Sequence, residues 1–166
     1  MSYGPNLLGN QISNVSPYVI SASSVYGDYP YYYPWKAFDV DGASTYWASS
    51  PSEHNNSWVK VDFGIGNAKK VSQYKITLFG GVYSFDAWTF EGSNDDANWI
   101  TLDTQINQKL IVGQTPHSFV NTTSYRYYRI HFTVGGGEEF GGLPDLTMHE
   151  SSALRTVSPM IISFND

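Results

Sequence analysis

With 166 residues, the chain is long enough to bury one ordinary hydrophobic core. Only 14% of the residues are charged and the net charge is −6 at pH 7, which disfavours a nucleic-acid partner, because binding a phosphate backbone needs lysine and arginine in excess. Cysteine is absent, and that excludes disulfides, thiolate metal sites and thiol nucleophiles together.

Aromatic residues reach 16%, with thirteen tyrosines, a composition that favours pleated, half-buried β surfaces. The opening stretch Met1 to Pro5 has no basic segment followed by an apolar one, so no secretory signal is read there. No apolar run approaches the roughly 18 residues of a membrane helix. A soluble chain is expected, either made in the cytoplasm or cut from something larger.

Along the chain, Val25 to Trp35 comes first, a loop with two prolines, a glycine and six aromatic residues. The prolines argue against a central strand. Its tyrosines suit either a sugar platform, where rings meet the apolar face of a pyranose, or packing against the sandwich edge or another subunit. Asp39 to Thr45 packs two carboxylates, a glycine and two hydroxyls into seven residues. That pattern suits a hard cation held by oxygen ligands or a plain turn capped by its own aspartate. Glu53-His54-Asn55-Asn56 adds hydrogen-bonding groups.

Alternation bounded by turn residues then predicts strands over Trp58–Phe63, Val71–Phe79, Trp88–Glu91, Trp99–Leu102, Ser118–Val120, Tyr125–Thr133, Leu143–His149 and Met160–Phe164. Trp47 and Trp58 are expected in the core, and Trp88 and Trp99 in the core or half exposed. Gly135 to Gly142 reads as a flexible acidic loop. The pattern is that of an all-β sandwich or barrel, with residues 1–150 as its body. Residues 151–166 form an extension whose Met160–Phe164 stretch would add a strand.

Nothing in the pattern assembles a catalytic site. His54, His117, His131 and His149 are scattered, and the adjacent pairs Glu138-Glu139 and Asp95-Asp96 would point to opposite faces of a strand. A non-catalytic binding module is expected.

Five blocks carry a resemblance: Lys36-Ala37-Phe38-Asp39 with Thr45-Tyr46-Trp47-Ala48-Ser49, Ser57 to Gly64, Thr89 to Asp95, Trp99 to Leu102, and Tyr125 to Ile130. In this order they resemble the discoidin domain family, which includes the C-type domains of coagulation factors V and VIII and the family 32 carbohydrate-binding modules. The resemblance implies a galactose-binding-like jelly-roll β-sandwich with ligand loops at one end and no catalytic machinery. Many relatives hold a structural calcium, or sometimes sodium. Carried over by position, Asp39 and Thr45 become side-chain ligands and Lys36 and Asp41 carbonyl ligands. Pro144 and Asp145 stand where the family usually has a small residue and a glutamate.

The resemblance also gathers Tyr29, Tyr31, Tyr32, Tyr33, His54, Asn55, Tyr83 and Phe85 as the ligand-binding set. Galactose-binding members often carry an arginine just after the strand that ends here at Phe79. This chain has Gly80, Gly81, Val82 and Tyr83 there, so galactose specificity is not carried over. Relatives that bind membrane lipid surround exposed apolar residues with basic ones, and the acidic charge disfavours that role here. The role implied is that of a lectin-like module for attachment to a cell-surface glycan, extracellular or virion-associated and fitting a phage tail or adsorption apparatus. The alternative is a structural or adaptor domain of a virion or multiprotein assembly, including a homo-oligomer, with no sugar ligand.

Overall fold

The computed structural model of the chain describes residues 2–14, 18–41, 44–80, 84–108, 112–135 and 141–151. Among the described residues ten strands run in chain order: β1 (Val19–Ala22), β2 (Trp47–Ala48), β3 (Ser57–Asp62), β4 (Val71–Leu78), β5 (Phe85–Ser93), β6 (Ile100–Gln105), β7 (Gly113–Ser118), β8 (Tyr127–Gly135), β9 (Gly142–Leu143) and β10 (Asp145–Glu150). They form a five-stranded sheet in the order β1-β3-β8-β5-β6, a three-stranded sheet β10-β4-β7, and a small pair β2-β9. Every pairing is antiparallel. No helix among the described residues is long and apolar enough to cross a membrane.

The two larger sheets enclose an aromatic core. Val59, Val61, Trp88, Phe90, Tyr128, Ile130 and Phe132 are buried from the larger sheet, and Tyr74, Ile76, Leu78, Leu146 and Met148 from the smaller. Rings bridge the gap where Tyr74 stacks on Phe90 at 4.4 Å between centroids, and Phe90 stacks in turn on Tyr128 of its own sheet at 5.7 Å. The polar tips of these rings have partners. The Tyr74 hydroxyl donates to Asp103 Oδ2 at 2.7 Å and accepts from Trp88 Nε1 at 2.8 Å. The Tyr128 hydroxyl donates to the Lys69 carbonyl at 2.7 Å and accepts from Val71 N at 3.1 Å. At Gly92 an added Cβ would lie 2.6 Å from the Tyr125 ring, so the missing side chain is what lets that ring close the core.

The sequence-based strands at 71–79, 88–91 and 125–133 fall on β4, β5 and β8. Three expectations need correction. Trp58 is not a core residue: strand alternation sends Val59 and Val61 inward, which leaves Trp58 beside Lys60 on the outer face, its ring 5.1 Å from the Lys60 ammonium. The strand expected at Ser118–Val120 lies earlier, as β7. It tolerates Pro116 because it is the edge of its sheet. Leu143–His149 is not one strand, because Pro144 divides β9 from β10. The Met160–Phe164 stretch and the rest of the 152–166 extension lie outside the described residues.

The outer face of the larger sheet is a neutral ladder of rings and ion pairs. Arg126 grips Asp62 through Nε and Nη2 at 2.7 and 2.6 Å, Lys60 pairs with Asp96 at 2.6 Å, and Arg129 pairs with Glu91 at 2.5 Å beneath the Trp99 ring. Burial pushes the Glu91 carboxyl up, but hydrogen bonds from His131, Thr89 and Arg129 outweigh it and hold the group down at about 2. Because this folded value lies below the ordinary 4.5, the stabilisation is complete above about pH 4.5 and fades as pH falls towards 2. Glu91→Gln is therefore expected to flatten the acid limb of the stability curve over that window, as read by urea unfolding at stepped pH. An unchanged limb would show that Glu91 does not set it.

Candidate functional site

Two features meet at the segment between β1 and β2, and both follow from how the chain leaves the core. The 3₁₀ turn Pro34–Phe38 buries Ala37 and Phe38, so the chain emerges with Asp39 still inside, at 6% exposure. Val40 follows with φ at 53°, a left-handed conformation costly for a β-branched residue. Thr45 Oγ1 donates to Asp39 Oδ2 at 2.5 Å and lies 3.1 Å from Asp41 Oδ2. Asp41 Oδ1 accepts from the backbone nitrogens of Ser44 and Thr45 at 3.1 and 3.2 Å. Asp145, the first residue of β10 and only 3% exposed, brings a third carboxylate. One oxygen from each of the three lies within 4.8 Å of the others.

Like charges this close, two of them buried, are mutually unfavourable. Burial pushes the Asp39 carboxyl above its ordinary value, the Thr45 hydrogen bond pulls it back, and the Asp41 charge pushes it up again. Asp39 Oδ1 is buried with no hydrogen-bond partner, the condition of an oxygen available to a cation. An all-oxygen donor set with this much negative charge fits a hard cation. Among the residues expected around an ion, Asp39, Asp41, Thr45 and Asp145 come together. Pro144 is the buried link between β9 and β10; the Lys36 side chain lies against the rings of the tyrosine loop, which has no bearing on the carbonyl expected of it.

That loop is a chain of short turns. The 3₁₀ turns Tyr26–Asp28, Pro30–Tyr32 and Pro34–Phe38 follow one another, two of them opened by a proline that presets the backbone. Tyr32 is the half-buried centre: its ring meets Tyr26 at 5.4 Å, Tyr31 at 5.1 Å and Tyr46 at 5.2 Å. Tyr46 in turn meets Phe79 edge-on at 5.0 Å, and burial together with a hydrogen bond to Tyr32 pushes its phenol well above the ordinary range. Gly142 makes room for this, since a Cβ there would lie 2.9 Å from the Phe79 ring and 3.1 Å from Tyr46. In the same loop Tyr29, Tyr31 and Tyr33 remain 58%, 54% and 37% exposed, with Tyr31 resting against Tyr32 and Tyr46. Sequence reasoning missed Tyr46 and Phe79 as members of this set. The available signal was Tyr46 directly after the acidic loop, with Phe79 at the end of β4.

The remaining candidates separate. Phe85 is not a ligand contact: it is fully buried and stacks on Phe132 and Trp47, because β5 begins at this residue and turns it into the core. Asn55 spends its side-chain oxygen on Gly135 N at 2.8 Å, and Asn56 reaches His131 Nε2 at 2.8 Å, so the turn His54–Asn56 ties down the end of β8. Tyr83, the His54 side chain and the 136–140 part of the acidic loop lie outside the described residues.

With charged Asp39 disfavoured in the fold, ion-free stability falls as pH rises from about 4 through its raised value. In chelator, Asp39→Asn should therefore gain on the parent protein as pH is raised from 4 to 7. Thermal melts that show the gap constant or reversed would refute this account of the loop.

The F5/8 type C domain pattern matches residues 19–142, while no curated protein matches the chain in sequence. Among solved structures, chitosan-binding module 1 from the chitosanase/glucanase of Paenibacillus sp. IK-5 is similar at 22% identity and TM-score 0.65, covering 87% of this chain and 98% of its own. The CBM32 of AlyQ, in complex with 4,5-unsaturated mannuronic acid, is 17% identical with TM-score 0.65, covering 89% and 98%. The family 32 module of C. perfringens NanJ, in complex with galactose, is 19% identical with TM-score 0.61, covering 80% and 93%.

Proposed function

This chain belongs to the F5/8 type C domain family, a family of binding domains rather than catalysts, and from that premise we propose that it is a carbohydrate-binding module whose sugar platform is the tyrosine loop. The observation that carries this reading is the combination of three exposed rings, Tyr29, Tyr31 and Tyr33, with a packed base formed by Tyr26, Tyr32, Tyr46 and Phe79. A pyranose needs a flat apolar surface that is already ordered, since ordering rings at the moment of binding would cost affinity. Similar folds take chitosan, mannuronic acid and galactose, so the support is for sugar binding in general. The setting that fits is outside the cell or on a virion, as in a phage adsorption apparatus.

The acidic loop complements the platform. A calcium ion held by Asp39, Asp41, Thr45 and Asp145 would neutralise the buried carboxylates and tie the loop to the start of β10. Thr45 precedes Tyr46 in the chain, so the same ion would steady the base on which Tyr31 and Tyr32 rest. Its role is structural, because its ligands come from within the domain. Exposed tyrosines also suit an adaptor domain that docks on another protein, and the glycan experiment separates the two readings.

On a glycan array the protein should give defined signals that Tyr31→Ala and Tyr33→Ala reduce by about tenfold or more, equivalent to about 1.4 kcal/mol per ring, while melting temperatures stay near the parent value. No signal from any glycan, with stable oligomers formed through the tyrosine loop, would favour the adaptor reading. Calcium at about a hundredfold over its dissociation constant should stabilise the fold by about 2.7 kcal/mol. That gain should vanish in Asp39→Asn and Asp145→Asn; a chelator without effect on the parent protein would exclude a structural ion.

A further inference from the structure

We propose that Lys36 makes the tyrosine platform selective for acidic sugars, with its ammonium as the partner of a sugar carboxylate. This rests on reading the platform as a glycan site. The Lys36 ammonium lies 4.9 Å from the Trp35 ring centroid and 5.3 Å from that of Tyr31. Among the described residues no carboxylate forms an ion pair with it, and in this it differs from the other cations held against rings. Lys60, Arg126 and Arg129 each lie against an aromatic face, and each is also paired with Asp96, Asp62 or Glu91 at 2.5–2.6 Å. On the sheet face these ring-bound cations are neutralised; at the loop end this one is not.

The geometry gives that charge a purpose. Tyr31 is more than half exposed, so a sugar stacked on its ring brings substituents at the ring's rim towards an ammonium already lying against the same side chain. Asp39 lies within electrostatic range of Lys36, but its carboxylate is buried and directed at Thr45, so it does not cap the ammonium. Two rings hold the ammonium in place before any ligand arrives, which lowers the ordering cost of forming the pair. They also shield the pair partly from water, where a charge pair is worth more than at full exposure. A neutral sugar would gain only the stacking contact, and an amino sugar would meet a like charge.

The test is titration calorimetry at low salt with galacturonic acid trimer, its trimethyl ester and glucosamine trimer. The acid trimer should bind about tenfold tighter than its ester, the amino sugar should bind weakest, and added salt should erode the difference. Lys36→Gln should bring acid and ester to equal affinity, and Lys36→Arg should restore the preference, with melting temperature reporting that each variant folds. Equal affinities in the parent protein, or a preference that survives Lys36→Gln, would overturn the charge assignment while leaving the platform in place. Failure of all three sugars and of a wider array, with the Tyr31→Ala variant folded and indistinguishable, would overturn the platform itself.

Discussion

Everything in this molecule depends on filling the space between two sheets with rings that carry polar tips. A phenol or indole contributes a large apolar area but penalises any position where its hydroxyl or N–H goes unpaired. Tyr74, Tyr128 and Trp88 meet that condition within the sandwich, through Asp103, the Lys69 carbonyl and one another. Trp47 meets it differently: its Nε1 donates to the Ser24 carbonyl at 2.9 Å, at the point where the chain enters the tyrosine loop. The same bond that satisfies a core residue thus anchors the surface segment, and Ser50 reinforces it by donating to the Val25 carbonyl at 3.1 Å.

Charge is divided unevenly over the surface. The outer face of the five-stranded sheet carries Lys60, Arg126 and Arg129 matched against Asp96, Asp62 and Glu91, with rings of Trp58, Trp99 and Tyr127 filling the gaps. Those pairs satisfy one another and leave little charge there for a partner. At the loop end, three carboxylates converge and Lys36 holds its charge between rings. Unmatched charge is costly to the fold and is tolerated where a ligand can supply the opposite sign. The acidic loop is followed at once by the tyrosine base, so the clustered carboxylates and the half-buried rings share one end of the molecule.

The strands in the middle of the sheets are legible where they alternate: β3 and β8 do so cleanly and β4 does from Tyr74 onward, whereas β5 is carried by Trp88 and Phe90 despite the bulges that interrupt its period. Errors arose where a side chain's fate depended on its neighbours across the sheet. Trp58 looks like core by size, yet its strand already sends Val59 and Val61 inward. Phe85 looks like part of a surface loop beside Gly80 and Gly81, yet the start of β5 turns it against Phe132. The acidic loop could be read from its spacing, but its link to Asp145 came from family resemblance alone, because most of the sandwich lies between the two along the chain.

By itself, the sequence determined that this is a cysteine-free all-β chain, sandwich or barrel, with a tyrosine-rich loop and a carboxylate-rich turn, since composition and period-two patterning are local properties of the chain. Tertiary structure alone decided which of those tyrosines pack together and which stay exposed, that Asp145 meets Asp39 and Asp41, and that Lys36 faces rings in place of a carboxylate. Those are contacts between segments distant in the chain or between turns of a loop, set by how strand ends are brought together. No local pattern encodes them.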